Sequence, residues 1–134
     1  MKIDRPYTRV FIIGPITNPD PMALLRNIQA GLVMTARLYD AGFAPFPLWC
    51  DFTAVMQTRT ATANDIKDAS LAWLRCCEVV LVLPGWESSA GAQAEHSLAD
   101  QLGVPVVYSF EDLVMLRTNQ EEYAAGKTGQ GAVK

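Results

Sequence analysis

The sequence predicts an open α/β sandwich, in which helices cover both faces of a parallel sheet of four to five strands. Short apolar runs alternate along the chain with segments whose apolar residues recur at helical spacing. This alternation indicates crossover connections, which join parallel strands. The clearest runs, Val10–Ile13 and Val79–Leu83, are apolar throughout, which is typical of strands buried on both faces.

The other elements follow from local patterns and from residues that stop them. Gly42 ends the first helix, and Pro45 and Pro47 each remove a ladder donor, which favours a short or edge strand around them. The remaining predicted elements are, in order, a helix from 21 or 22 to 40, a strand over 43–48, a helix capped by Asn64 or Asp65 and running to about 77, a helix over 90–102, a strand over 104–108 and a helix from 111 to about 125.

Length and composition indicate one domain over residues 1–125, followed by a flexible, glycine-rich polar tail over residues 126–134. The chain has 134 residues, half of them apolar, and a net charge of −3 that argues against a nucleic-acid polymer as partner. Cys50, Cys76 and Cys77 lack paired Cys-x-x-Cys spacing, which argues against a zinc ribbon or a disulfide scaffold. With neither a signal peptide nor an apolar run of membrane-spanning length, we expect a cytoplasmic protein without a membrane partner.

Two loops are expected to form one crevice. In the flavodoxin-like strand order the first strand lies beside the Val79 strand, so the loops over residues 14–20 and 84–91 open together. The second loop is rich in small residues and precedes a helix, whose N-terminus favours an anion such as phosphate. Ser88 and Ser89 also suit simple helix capping, and the sequence leaves both roles open. The glycine signatures of ordinary dinucleotide and nucleoside-triphosphate sites do not occur.

Glu95 interrupts the apolar stripe of the helix that follows this loop. At 3.6 residues per turn it shares one face with Ala92, Leu98, Ala99 and Leu102. The carboxylate is therefore predicted to point toward the sheet or the crevice. There it has the chemistry of a nucleophile or base, although a structural carboxylate paired with an arginine fits the pattern equally well.

A second carboxylate, Asp68, is predicted to reach the crevice from the preceding helix. Retaining glycosyl transfer uses two such groups, one nucleophilic and one acid/base. Helix capping explains Asp65 and Asp68 adequately as well. His96 faces about 100° away from Glu95, so it is predicted to be a surface or interface residue and not a shared metal ligand.

Two segments resemble a known enzyme family. Leu83-Pro-Gly-Trp-Glu-Ser-Ser-Ala-Gly-Ala-Gln-Ala-Glu95 and Phe11-Ile-Ile-Gly-Pro-Ile-Thr17 are similar to segments of the nucleoside 2-deoxyribosyltransferase superfamily, which includes nucleotide N-glycosidases. The resemblance spans approximately residues 10–108. It implies that Glu95 attacks the anomeric carbon and that Asp68, sixteen residues before Pro84, assists.

The resemblance also implies the ligand and the assembly. Ser89, six residues before Glu95, stands where nucleotide hydrolases carry a serine, which implies a nucleoside 5′-monophosphate. No metal or redox cofactor is implied, and relatives are dimers or higher oligomers, so we expect a homodimer or homotetramer whose neighbouring subunits contribute groups. The remaining predicted contacts are Gly14, Pro15, Ile16, Thr17 and Gly91 for the sugar phosphate, Phe46, Trp49 and Asp51 for the base, and Trp86 as a wall. Aromatic residues at such positions more often belong to a core or a subunit interface.

The expected function is therefore cleavage or transfer of the N-glycosidic bond of a nucleoside 5′-monophosphate through a covalent glycosyl-glutamate. The alternative is a non-catalytic module that binds a nucleotide or an ADP-ribose-like ligand. Residue pattern and resemblance leave the base and the sugar unassigned.

Overall fold

The sheet is parallel and has the predicted flavodoxin-like arrangement. A computed structural model describes residues 9–46 and 57–130, with side chains up to residue 122. Within these residues the strands are β1 (Arg9–Ile13), β2 (Ala44–Phe46), β3 (Val79–Val82) and β4 (Val106–Val107). Their order is β2-β1-β3-β4, and every neighbouring pair is parallel. The first strand and the Val79 strand therefore lie side by side, as expected.

Four α-helices occur in the described part of the chain. They are α1 (Pro21–Asp40), α2 (Ala63–Leu74), α3 (Ala90–Leu102) and α4 (Phe110–Gln130), and a short 3-10 turn spans Trp86–Ser88. The bounds of α1 and α3 agree with the sequence prediction. None of these helices is sufficiently long and apolar for a membrane crossing.

The alternating side chains of the central strands build a core on each face of the sheet. Val10, Ile12, Val79 and Leu81 point to the face that packs against Leu38 of α1 and Leu113 of α4. Phe11, Ile13, Val80 and Val82 point to the other face, where Leu74 of α2 and Ala92 and Ala99 of α3 cover them. Helices thus lie on both faces, and a buried strand needs apolar side chains on both.

Several element ends differ from the prediction. Thr62 caps α2, because its hydroxyl accepts the Asp65 N–H at 3.1 Å while the Asp65 carboxylate accepts the Thr62 N–H at 2.8 Å. Asp65 is therefore the third residue of a capping box and not the cap itself. Helix α2 ends at Leu74, and β2 begins at Ala44, one residue later than expected. Strand β4 is shorter than expected, and α4 continues to Gln130, so residues 126–130 of the predicted tail are helical.

The loops that follow β1 and β3 meet at a glycine. Gly85 has φ +87°, and a Cβ built on it would lie 3.3 Å from Pro15 Cγ. Asn27 of α1 anchors the first loop, since its side-chain amide donates to the Ile16 carbonyl at 3.2 Å. The backbone of both loops is thereby held at the carboxyl edge of β1 and β3.

Gly85→Ala is expected to lower the free energy of unfolding by about 1–2 kcal/mol, because alanine is strained at positive φ and its methyl group crowds Pro15. Urea denaturation measures this change. Gly91→Ala is the matched control, since Gly91 is helical and its added Cβ would meet only Ser89 Oγ at 4.0 Å. An unfolding free energy that drops equally in both variants would contradict the assignment.

Candidate functional site

A cavity of about 500 Å³ lies where the β1 and β3 loops open, and we call it the switch-point cavity. Three parts of the chain form its walls: the loop after β1, one face of α2, and the 3-10 turn with the start of α3. The lining residues are Gly14, Ile16, Thr17, Ala63, Ile66, Lys67, Ser70, Ser88, Ser89, Ala90, Gly91, Ala92 and Glu95. The structure thus brings together both loops that the sequence assigned to one crevice.

The N-terminus of α3 presents hydrogen-bond donors to this cavity. Ser89 is the N-cap, and its Oγ accepts the Ala92 N–H at 3.2 Å. The N–H groups of Ala90 and Gly91 have no partner among the described residues, as expected in the first turn of a helix. The Ser89 hydroxyl proton is likewise not donated to any described group. Capping and anion binding are therefore compatible roles for Ser89.

Ser88 plays a different part. Its hydroxyl donates to the Gly85 carbonyl at 2.8 Å and so closes the 3-10 turn. The side-chain amide of Gln93 also donates to the Glu87 carbonyl. These bonds fix the turn that leads into α3, and they use the proton that Ser88 would offer to a ligand.

Glu95 is the buried carboxyl of the switch-point cavity. Its side chain lines the cavity, only 7% of the residue is exposed, and no described residue hydrogen-bonds or ion-pairs with its carboxyl. Burial raises the pKa of Glu95 to about 8, and the Lys67 ammonium opposes that rise. Unpartnered buried carboxyls are costly in a fold, so this one points to a function in the cavity.

Lys67 reaches the cavity from α2, and the sequence analysis missed it. Ala63, Ile66, Lys67 and Ser70 follow helical spacing and form the α2 wall. The sequence shows that these residues share one helical face, but which face of α2 turns toward α3 depends on how the two helices pack.

Asp68, the predicted partner of Glu95, is not part of this wall. It follows Lys67 and so points about 100° away, and its side chain is exposed. The structure therefore does not bring Asp68 to the lining of the cavity that holds Glu95.

Other predicted contacts also lie off the lining. Phe46 stacks on Phe11 with ring centroids 5.3 Å apart and on Trp73 at 5.5 Å, so its ring packs against the sheet. Pro15 contacts the Gly85 turn and lines a separate depression beside α1. Trp49 and Asp51 lie outside the described residues.

Trp86 and His96 form a cluster on a different side of α3. Their rings stack at 4.2 Å, His96 Nε2 lies 2.8 Å from the Tyr108 hydroxyl, and Nδ1 lies 3.6 Å from an Asp100 carboxylate oxygen. Trp86 is thus not among the residues that line the cavity. The half-buried His96 packs against the 3-10 turn through its contact with Trp86. No cluster of three metal-ligating side chains occurs within the residues described.

Part of the chain matches a protein-family model. The model of a family described as a domain of unknown function (DUF4406) matches residues 48–108, less than half of the chain. The matched stretch includes Lys67, the turn before α3 and Glu95, but not the loop after β1. No curated protein matches the chain.

Glu95→Gln is expected to stabilise the protein at alkaline pH. The folded-state pKa of about 8 exceeds the usual 4.5, so the contribution of Glu95 to wild-type stability is greatest below about pH 4.5, falls as pH rises to 8, and is then constant. The neutral amide avoids this loss. Lys67 is the other ionisable side chain among the described lining residues.

The gain in unfolding free energy should reach an order of 3–5 kcal/mol above pH 8 and vanish near pH 4.5. Thermal unfolding between pH 4.5 and 9 measures it, with Glu87→Gln on the exposed turn as control. If the difference in unfolding free energy between Glu95→Gln and wild type does not vary with pH, then the pKa of Glu95 is not raised by burial.

Proposed function

We propose that this protein cleaves or transfers the N-glycosidic bond of nucleoside 5′-monophosphates through a covalent glycosyl intermediate on Glu95. One observation carries the proposal: a buried carboxyl shares a cavity with the N–H donors of a helix N-terminus, and neither has a partner among the described residues. The resemblance of the two loop segments to nucleoside 2-deoxyribosyltransferases supports the same chemistry.

The spacing along α3 suits a sugar phosphate. The phosphate would accept bonds from the Ser89 hydroxyl and from the N–H groups of Ala90 and Gly91. Glu95 lies six residues after Ser89, about 9 Å along the helix axis. Helical side chains tilt toward the N-terminus, which brings the carboxylate closer to the sugar of a phosphate bound there.

The chemistry balances in two displacements. A carboxylate oxygen of Glu95 forms a bond to C1′, and the C1′–N bond breaks with its electron pair going to the base, which takes up a proton. Water or a second base then attacks C1′, the C1′–O bond to Glu95 breaks, and the carboxylate is regenerated. When water attacks, the product is the free sugar phosphate, and the proton that water loses returns to the acid/base. Each displacement inverts C1′, so the two together retain its configuration.

The leaving base needs a proton donor. We assign this role to Asp68 on the strength of the resemblance. Its carboxyl is exposed on α2, next to Lys67, and is thus accessible to a neighbouring subunit in the homodimer or homotetramer that we expect. Ser89 in place of an acidic residue favours the phosphorylated substrate and, by the same resemblance, hydrolysis over transfer.

A second function, binding of a nucleotide or ADP-ribose-like ligand without turnover, is favoured by the state of Glu95. With a pKa of about 8, only a minority of the Glu95 carboxyls is ionised at pH 7. The protonated form donates a hydrogen bond to a ligand but is a poor nucleophile. Ligand binding with no base release at pH 8.5, where Glu95 is mostly ionised, would support this alternative.

Base release from nucleoside 5′-monophosphates is expected to depend on ionised Glu95. Because the nucleophile must be ionised, the ionisation of Glu95 should contribute a rise in kcat/KM as pH increases toward its pKa of about 8. Chromatography of free base from a panel of monophosphates measures it. Glu95→Gln should lower the rate by roughly a thousandfold or more, and Asp68→Asn should lower it by a smaller factor.

A covalent adduct on Glu95 should be found by mass spectrometry after acid quenching of wild type. Base release that persists in Glu95→Gln, or an adduct on another residue, would refute the assigned nucleophile.

Ser89→Gly is expected to reduce kcat/KM about tenfold for monophosphates and to leave nucleosides unaffected, because it removes a donor to the phosphate. Glycine is nearly as good an N-cap as serine, so the helix should be retained, which circular dichroism checks. An equal loss for both substrate classes would place the phosphate elsewhere.

A further inference from the structure

Two ionisable side chains line the switch-point cavity. Among its described lining residues these are Glu95 and Lys67, and the other lining side chains are apolar or uncharged polar. Lys67 is exposed, and no described carboxylate lies within 4 Å of its ammonium group. Within the described part of the chain, this lysine is thus a cation without an ion-pair partner, and it lines a cavity whose other ionisable group is a buried acid.

The proposed substrate makes such a cation necessary. A 5′-phosphate is close to doubly negative at neutral pH, and it would enter a cavity that already contains the Glu95 carboxyl. The donors at the α3 N-terminus are uncharged and supply only the partial charge of the helix dipole. Without a full positive charge nearby, the bound phosphate would favour the protonated, unreactive form of Glu95.

The topology brings Lys67 to the same edge as these donors. Helix α2 leads into β3 and α3 leaves it, so both begin at the carboxyl edge of the parallel sheet. The two helices pack against each other. Lys67 lies in the second turn of α2, and its long side chain tilts toward the N-terminus of that helix, near the start of α3.

We propose that Lys67 is the specificity-determining residue that binds the 5′-phosphate of the substrate, together with the donors at the start of α3. The inference rests on the proposed function for the identity of the ligand as a sugar phosphate. It assigns to α2 the charge that selects a monophosphate over a nucleoside. A lysine that served only as a counter-charge to Glu95 would not distinguish these two ligands.

Binding of ribose 5-phosphate and 2-deoxyribose 5-phosphate tests this assignment without catalysis. Isothermal titration at pH 7.5 and low salt compares each with the unphosphorylated sugar, in wild type and in Lys67→Gln. Lys67→Arg keeps the charge. Arg75→Gln is the matched control, since it removes one positive charge at the exposed C-terminal end of the same helix.

Wild type should bind at least one sugar phosphate more tightly than its parent sugar, and Lys67→Gln should lose about tenfold in that affinity. Lys67→Arg and Arg75→Gln should stay within about threefold of wild type. Raising the salt concentration should weaken sugar-phosphate binding in wild type more than in Lys67→Gln.

An affinity in Lys67→Gln within twofold of wild type would overturn the inference, as would a wild type that does not prefer the phosphorylated sugars. The outcome is separable from the proposed reaction. If Lys67-dependent binding is found but no base is released, the reaction is wrong and the phosphate assignment stands.

Discussion

The parallel pairing of β1 with β3 at the centre of the sheet is the constraint on which the rest depends. Val10 pairs with Val79 and Ile13 with Val82, and these strand residues are almost completely buried. Because both strands run the same way, their following loops leave the same edge together. The Leu83 N–H donates to the Ile13 carbonyl at 2.8 Å, which extends this pairing to the point where the loops diverge. The position of the switch-point cavity follows from that geometry.

Burial of Glu95 is the energetic cost of the site. The α3 stripe that packs on the sheet through Ala92 and Ala99 also carries this carboxyl inward, where no described group satisfies it. The same burial strengthens any charge interaction in the cavity, because fewer water molecules screen it. A charge bound beside the carboxyl therefore acts on it more strongly than the same charge would in open solvent, so a bound anion would change the protonation of Glu95 directly.

Sequence patterns predicted much of this arrangement. The sequence predicted the all-apolar Val79 strand and the helix over Ala90–Leu102 because helices and strands have different periods of apolar residues. It also predicted that Glu95 faces inward, because this residue interrupts an apolar stripe. The first residue of α2 could not be predicted in this way, since Thr62, Asn64 and Asp65 are all good N-caps and only the capping box in the structure distinguishes them. Phe46 illustrates a similar limit, because an aromatic ring suits a ligand pocket and a core equally.

The amino-acid sequence alone determined the alternation of strands and helices, the small-residue turn before α3 and the face of α3 that carries Glu95, because each is a local property of a few neighbouring residues. Only the tertiary structure decided which face of α2 meets α3. That packing brings Lys67 to the switch-point cavity and leaves Asp68 exposed, although the two are consecutive in the chain. A rotation of about 100° per residue separates neighbours on a helix, and contact across helices depends on the packing of the whole sheet.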